Sequence, residues 1–249
     1  GQINVNGGNG VVSAQTYGAG GGAGGAVNIT AATFNGTGVV LANGAAGVTG
    51  GNFGGGGGGG RIAVVVTGTD TSNLTMQARN GAGGGGTATG GGAGVIARKG
   101  PGASLYSLTI GEPSVTAQSI TLIAGATPVY ADVTISNAVV NFAAGSTVTI
   151  GGLVITGTAA VTAARLTPNT LEVASGAVLQ LTAQATGGSL QVDAGGMFRQ
   201  MNTVSLSFTS VSILTGGVIT HAANTTARTS VVNLSVSGNF DLQPGAVIA

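Results

Sequence analysis

The chain has 249 residues, 50 of them glycine, and carries only seven Lys or Arg and six Asp or Glu. At 5% charged residues, against roughly 25% in an ordinary domain, it lacks the polar helix faces of a bundle or coiled coil, and a net charge of +1 gives no cationic surface for nucleic acid. The absence of Cys excludes disulfide and Cys-based zinc scaffolds, and 43% hydrophobic residues without a charge surplus fit disorder poorly.

The first strand-like residues are Ile3 and Val5, directly after Gly1, and the last are Val247 and Ile248 before Ala249. A chain that opens and closes in strand sequence reads as a processed product or a piece of a longer one. No segment approaches the ~18 continuous apolar residues of a membrane helix, so the chain is expected not to span a membrane.

Residues 1–100 hold 34 of the 50 glycines. An internal repeat runs through them. Asn-Gly recurs at Asn6-Gly7, Asn43-Gly44 and Asn80-Gly81, spaced 37 and 37, and glycine tracts run into strand-like sequence after Gly25, Gly60 and Gly94. A fixed period in this range marks a stacked architecture. Each unit reads strand, short link, strand, Asn-Gly, glycine-rich excursion. The predicted strands are 27–30, 38–42, 62–66 and 74–78, and the excursions are 18–25, 44–60 and 81–94. Alternation through Asn73-Leu74-Thr75-Met76-Gln77-Ala78 puts one face inward.

Gly100-Pro101-Gly102 is a strong turn signal, and we place the boundary there, between domain 1–100 and domain 101–249. The second domain has a shorter period. Gly152, Gly176, Gly196, Gly217 and Gly238 close successive units, spaced 24, 20, 21 and 21, with short β-branched runs at 146–150, 153–156, 177–182, 189–193, 204–208 and 231–236. Short alternating strands at this spacing, with no helix period, predict an all-β fold: a right-handed parallel β-helix, or β-solenoid. A β-sandwich is the alternative. Recurrence of the glycine excursions in phase with the strands predicts that they stack as polyglycine II helices, a packing that only glycine permits.

The chemistry-bearing residues are sparse. The six acids are Asp70, Glu112, Asp132, Glu172, Asp193 and Asp241. Glu172 and Asp193 are 21 apart, which matches the local period and places them on neighbouring coils. His221 is the single histidine and has no adjacent acid, a poor metal site or triad member. Phosphate-loop and calcium-nonapeptide patterns are absent. No catalytic, metal or cofactor-binding residues are therefore expected. Arg61, Arg79, Arg98 and Lys99 border the glycine tracts and suit edge protection, an acidic surface glycan or a neighbouring subunit, and Tyr17, Tyr106 and Tyr130 suit a glycan. Asn28, Asn35, Asn73, Asn224 and Asn233 match the N-x-S/T pattern, a weak signal here.

Gly24-Gly25-Ala26-Val27-Asn28-Ile29-Thr30, then Gly38-Val39-Val40-Leu41-Ala42-Asn43-Gly44, then the glycine run into Arg61-Ile62-Ala63-Val64, resembles glycine-rich β-solenoid modules of large secreted bacterial surface proteins of adhesin or autotransporter-passenger type. The resemblance implies an extracellular or cell-surface setting and supplies no catalytic residues. The expectation is a non-enzymatic structural protein, a segment of a fibre or adhesin stalk. Its uncharged ends, Gly1, Ile3 and Val5 at one and Val247, Ile248 and Ala249 at the other, would stack head to tail with another copy or continue into a longer chain. A carbohydrate-binding adhesin tip and an unusual polysaccharide lyase or hydrolase are the alternatives.

Overall fold

The computed structural model describes residues 1–11, 18–49, 53–112, 120–123, 125 and 127–249. Among them it is all-β, without a helix, and its strands pair mostly in parallel. The chain divides into two compact units, Gly1–Thr121 with Asn137–Val139, and Leu122–Ser136 with Val140–Ala249.

In the first unit β1 (Gln2–Asn4), β3 (Val39–Leu41) and β5 (Thr75–Gln77) form one parallel sheet, while β2 (Ala26–Phe34), β4 (Arg61–Asp70) and β6 (Val95–Lys99) form a second parallel set. The sequence repeat becomes register. Ile3 lies opposite Val40, and Val40 opposite Met76; Val27 lies opposite Ile62, and Ile62 opposite Ile96. Apolar residues at alternate positions face inward, so Val27, Val40, Ala42, Ile62, Val64 and Val66 pack together with Val5, Ile29, Phe34 and Met76 against them. The Gly100-Pro101-Gly102 turn reverses the chain, with Gly102 at φ 70°, and β7 (Ser107–Gly111) returns antiparallel to β6.

The division between units falls inside β8 (Ile120–Ile123). Beyond it run β9 (Val129–Ser136), β10 (Val139–Phe142), β11 (Thr147–Thr156), β12 (Ala160–Val173), β13 (Val178–Val192), β14 (Met197–Gln200), β15 (Leu206–Ile213), β16 (Val218–His221), β17 (Leu234–Val236), β18 (Phe240–Leu242) and β19 (Val247–Ile248). Pairing joins each rung to the next in parallel. Val133, Leu153, Leu171, Leu190, Val211 and Phe240 form one in-register column, and Ile135, Ile155, Val173, Val192, Ile213 and Leu242 form the next. Val161, Leu179, Phe198, Ile219 and Ile248 form a third. The strands β11 and β13 each span two runs that the sequence had separated, and β12 has no counterpart among those runs. Pro168 sits inside β12, buried, where it donates no ladder hydrogen bond.

Of the expected corner glycines Gly176 takes a left-handed turn, whereas Gly152, Gly196, Gly217 and Gly238 do not. Gly157, Gly176, Gly195, Gly216 and Gly245 have φ between 64° and 82°, and Gly152 lies within β11. In the Gly195-Gly196 and Gly216-Gly217 pairs the first glycine takes the left-handed position. The second is needed for space, since a Cβ on Gly196 would lie 2.2 Å from Val173 O and one on Gly217 2.6 Å from Val192 O. The turns bond to one another: Gly176 N–H donates to Gly195 O (3.1 Å), Gly195 to Gly216 (3.0 Å) and Gly216 to Gly245 (3.2 Å). The final corner falls 29 residues after its predecessor because the rung carries an added loop, 222–233, absent from earlier rungs.

Candidate assembly surfaces

The glycine excursions build six limbs. Outgoing limbs are 5–11, 42–48 and 78–84, and returning limbs are 18–25, 54–60 and 88–94. Hydrogen bonds between them recur at every third residue. Gly54, Gly57 and Gly60 donate to Val48, Ala45 and Ala42 on the antiparallel neighbour, and Gly56 and Gly59 donate to Thr89 and Gly92 on the next returning limb. Gly21 and Gly24 donate to Gly55 and Gly58, and Gly81 and Gly84 donate to Gly57 and Gly54. Every residue from 54 to 60 therefore donates or accepts at least one bond. A net ~0.5–1.5 kcal/mol per bond offsets the extra ~0.5–1 kcal/mol that ordering a glycine costs. Close approach explains the composition: a Cβ on Gly44, Gly47, Gly54, Gly57 or Gly91 would lie about 2 Å from a neighbouring carbonyl oxygen.

The Asn-Gly dipeptides sit where strand becomes limb. Asn6 Oδ1 accepts from Asn43 N (2.7 Å), and Asn43 Oδ1 accepts from Arg79 N (2.8 Å). Gly7 N–H donates to Asn43 O and Gly44 N–H to Arg79 O, both at 2.8 Å. An amide side chain thus bridges successive rungs where the strand ladder ends, a role that the 37-residue spacing signals.

Two of the four cations bordering the tracts are held by acids. Arg79 makes a bidentate pair with Glu112, and Arg98 Nη2 meets Asp70 Oδ2 at 2.5 Å and Ser72 Oγ at 3.1 Å. Arg98 and the Ser72 hydroxyl hold the Asp70 carboxyl at about 2, below the usual carboxylate range. Lys99 Nζ lies 5.8 Å from the Tyr106 ring centre, and Arg61 is exposed. Tyr130 is half-buried, which raises its hydroxyl pKa, and Tyr17 lies outside the described residues.

The carboxylates of the second unit stand on outward positions of one ladder. Glu172 pairs in register with Gln191, whose Nε2 donates to Asp193 Oδ1 at 2.8 Å. Burial and then the neighbouring Asp193 charge push the Glu172 pKa up. Asp132 lies opposite Gly152, and Asp241 opposite Ser212. His221 follows the inward column and its Nδ1 lies 2.6 Å from Ala222 O. Gln200, fully buried one rung before it, donates to Val204 O and accepts from Asn233 N, which anchors the 222–233 loop. Sequence periodicity gave no signal for Gln200, a polar residue in an apolar column.

The named end residues lie as follows. Gly1 and Ala249 are exposed, Val5 packs against the first core, and Ile3 is 42% exposed although its register partner Val40 is buried. In the last rung Phe240, Leu242 and Ile248 are 45%, 48% and 42% exposed, yet they continue columns whose preceding members, Val211, Ile213 and Ile219, are buried. An apolar groove of about 350 Å³ opens beside β1, lined by Ile3, Phe34, Asn35, Val39, Val40 and Leu74 among others.

Compared with protein-family models, curated proteins and solved structures, the chain matches none. No helix of the described residues is long and apolar enough to cross a membrane.

Proposed function

We propose that this chain is a non-enzymatic extracellular structural protein, part of a fibre or adhesin stalk that assembles by end-to-end β-stacking. On this reading the chain is a right-handed parallel β-helix, and its six glycine limbs are polyglycine II helices with three residues per turn. The in-register ladders support the first assignment, and the three-residue recurrence of limb hydrogen bonds supports the second.

One observation carries the assembly. The inward columns reach Phe240, Leu242 and Ile248, which are exposed although the members before them, Val211, Ile213 and Ile219, are buried. Each leaves apolar surface in water at ~25 cal/mol per Å², beside strand edges with unpaired backbone groups. A second copy presenting Gln2–Asn4 and Ala26–Phe34 as its first strands supplies both the apolar cover and the edge. A contact between unlike surfaces propagates without closing and yields a filament. Few charges oppose such stacking.

Sedimentation against concentration tests this. The parent chain is expected to form growing oligomers, and Ile248→Asp, which buries a carboxylate at the joint, is expected to remain a folded monomer. Equal association of the two proteins would remove the proposal.

A further inference from the structure

Five Asn-Gly dipeptides occur in the chain: Asn6-Gly7, Asn9-Gly10, Asn35-Gly36, Asn43-Gly44 and Asn80-Gly81. They share one chemical liability. Because glycine carries no Cβ, its backbone nitrogen can reach the side-chain carbonyl carbon of the preceding Asn. A bond forms from Gly N to Asn Cγ, the Cγ–Nδ2 bond breaks, and the Gly N–H proton leaves with the amide nitrogen as ammonia. Water then opens the cyclic imide to Asp or isoAsp. The step requires a free glycine N–H and an Asn side chain able to swing onto it.

The fold treats the five differently. Gly7 N–H and Gly44 N–H are engaged with the next rung at 2.8 Å, and Gly81 N–H donates to Gly57 O at 2.7 Å. The Asn6 and Asn43 side chains are also held, each by a backbone N–H of the following rung, and Asn80 is buried. Asn35 is exposed, and Gly36 takes φ 110° in the link between β2 and β3. Gly36 accepts a bond through its carbonyl from Asn73 N, but among the described residues neither its N–H nor the Asn35 side chain has a partner. Asn9 is exposed, and Gly10 N–H is likewise without a partner among the described residues.

We infer that Asn35 and Asn9 are sites of spontaneous deamidation in the folded chain, and that the rung-to-rung ladder preserves Asn6, Asn43 and Asn80. Asn35 has the larger consequence, because it lines the apolar groove with Ile3, Phe34, Val40 and Leu74. Conversion places a carboxylate at that rim and, in isoAsp, an extra methylene in the link backbone. Resting on the end-to-end reading, this is an ageing reaction that charges a surface meant to receive an uncharged rung.

Tandem mass spectrometry on the intact folded protein, held at neutral pH and physiological temperature, tests the inference independently of assembly. Fragmentation is needed because the first tryptic site is Arg61, so four of the dipeptides share one peptide. Asn35 and Asn9 are expected to convert about two- to tenfold faster than the other three, the factor that opening one ladder hydrogen bond imposes. In urea all five are expected to convert at similar rates. Conversion of Asn6, Asn43 or Asn80 in the folded chain as fast as Asn35, or the same ranking in urea, would overturn it.

Discussion

A methyl group on Gly57 would lie 2.0 Å from the carbonyl oxygen of Gly22, whereas one on the adjacent Gly58 would meet nothing closer than Gly92 O at 3.7 Å. Gly57→Ala is therefore expected to destabilise the first unit by about 1–3 kcal/mol through overpacking. Gly58→Ala is expected to be neutral or stabilising by up to ~1 kcal/mol, because it restricts only the unfolded chain. Thermal or urea denaturation of the two variants checks the contrast; equal losses would show that the limbs are not packed as described. The acids give two further tests. Asp70 is held at about 2 in the fold against ~3.9 in the unfolded chain. Its contribution is present above pH ~4 and is lost as pH falls towards ~2. Asp70→Asn should lower the melting temperature at neutral pH and flatten its acid dependence in that window. Glu172 has a raised folded pKa, so its ionised form opposes folding at neutral pH. Glu172→Gln should raise the melting temperature at neutral pH and have no effect once pH lies below both its folded and unfolded pKa values; a loss of stability at neutral pH would contradict the burial of that carboxylate.

At the scale of elements, much of the pattern is legible in the sequence. The spacing of Asn6 and Asn43 anticipates the bonds that their side chains accept from the next rung, because a side chain in that role must recur once per rung. Alternation finds β4, β5 and the second half of β13, where one face is buried. It misses β12 altogether, since Pro168 and the alanines at 159, 160, 163 and 164 weaken any strand signal, and tertiary pairing overrides local propensity there. It also takes Gly196 and Gly217 as the corners. Sequence does not distinguish a glycine needed for positive φ from its neighbour needed for close approach. The Arg79–Glu112 and Arg98–Asp70 pairs join residues 33 and 28 apart, and nothing local announces them. Ile248 is legible as an end residue, but the exposure of Phe240 and Leu242 is not, because they alternate just as Val211 and Ile213 do.

For the molecule as a whole, the filament reading depends on whether the columns that stop at Phe240, Leu242 and Ile248 are continued by another copy. Low charge and uncharged first and last strands favour such stacking on this reading. On the proposed reading a head-to-tail joint would use the same parallel pairing that joins successive rungs. Electron microscopy of the concentrated purified chain is the most direct measurement. The account predicts unbranched fibres whose rungs repeat at ~4.8 Å along the axis; a monodisperse population of single particles at the same concentration would contradict it.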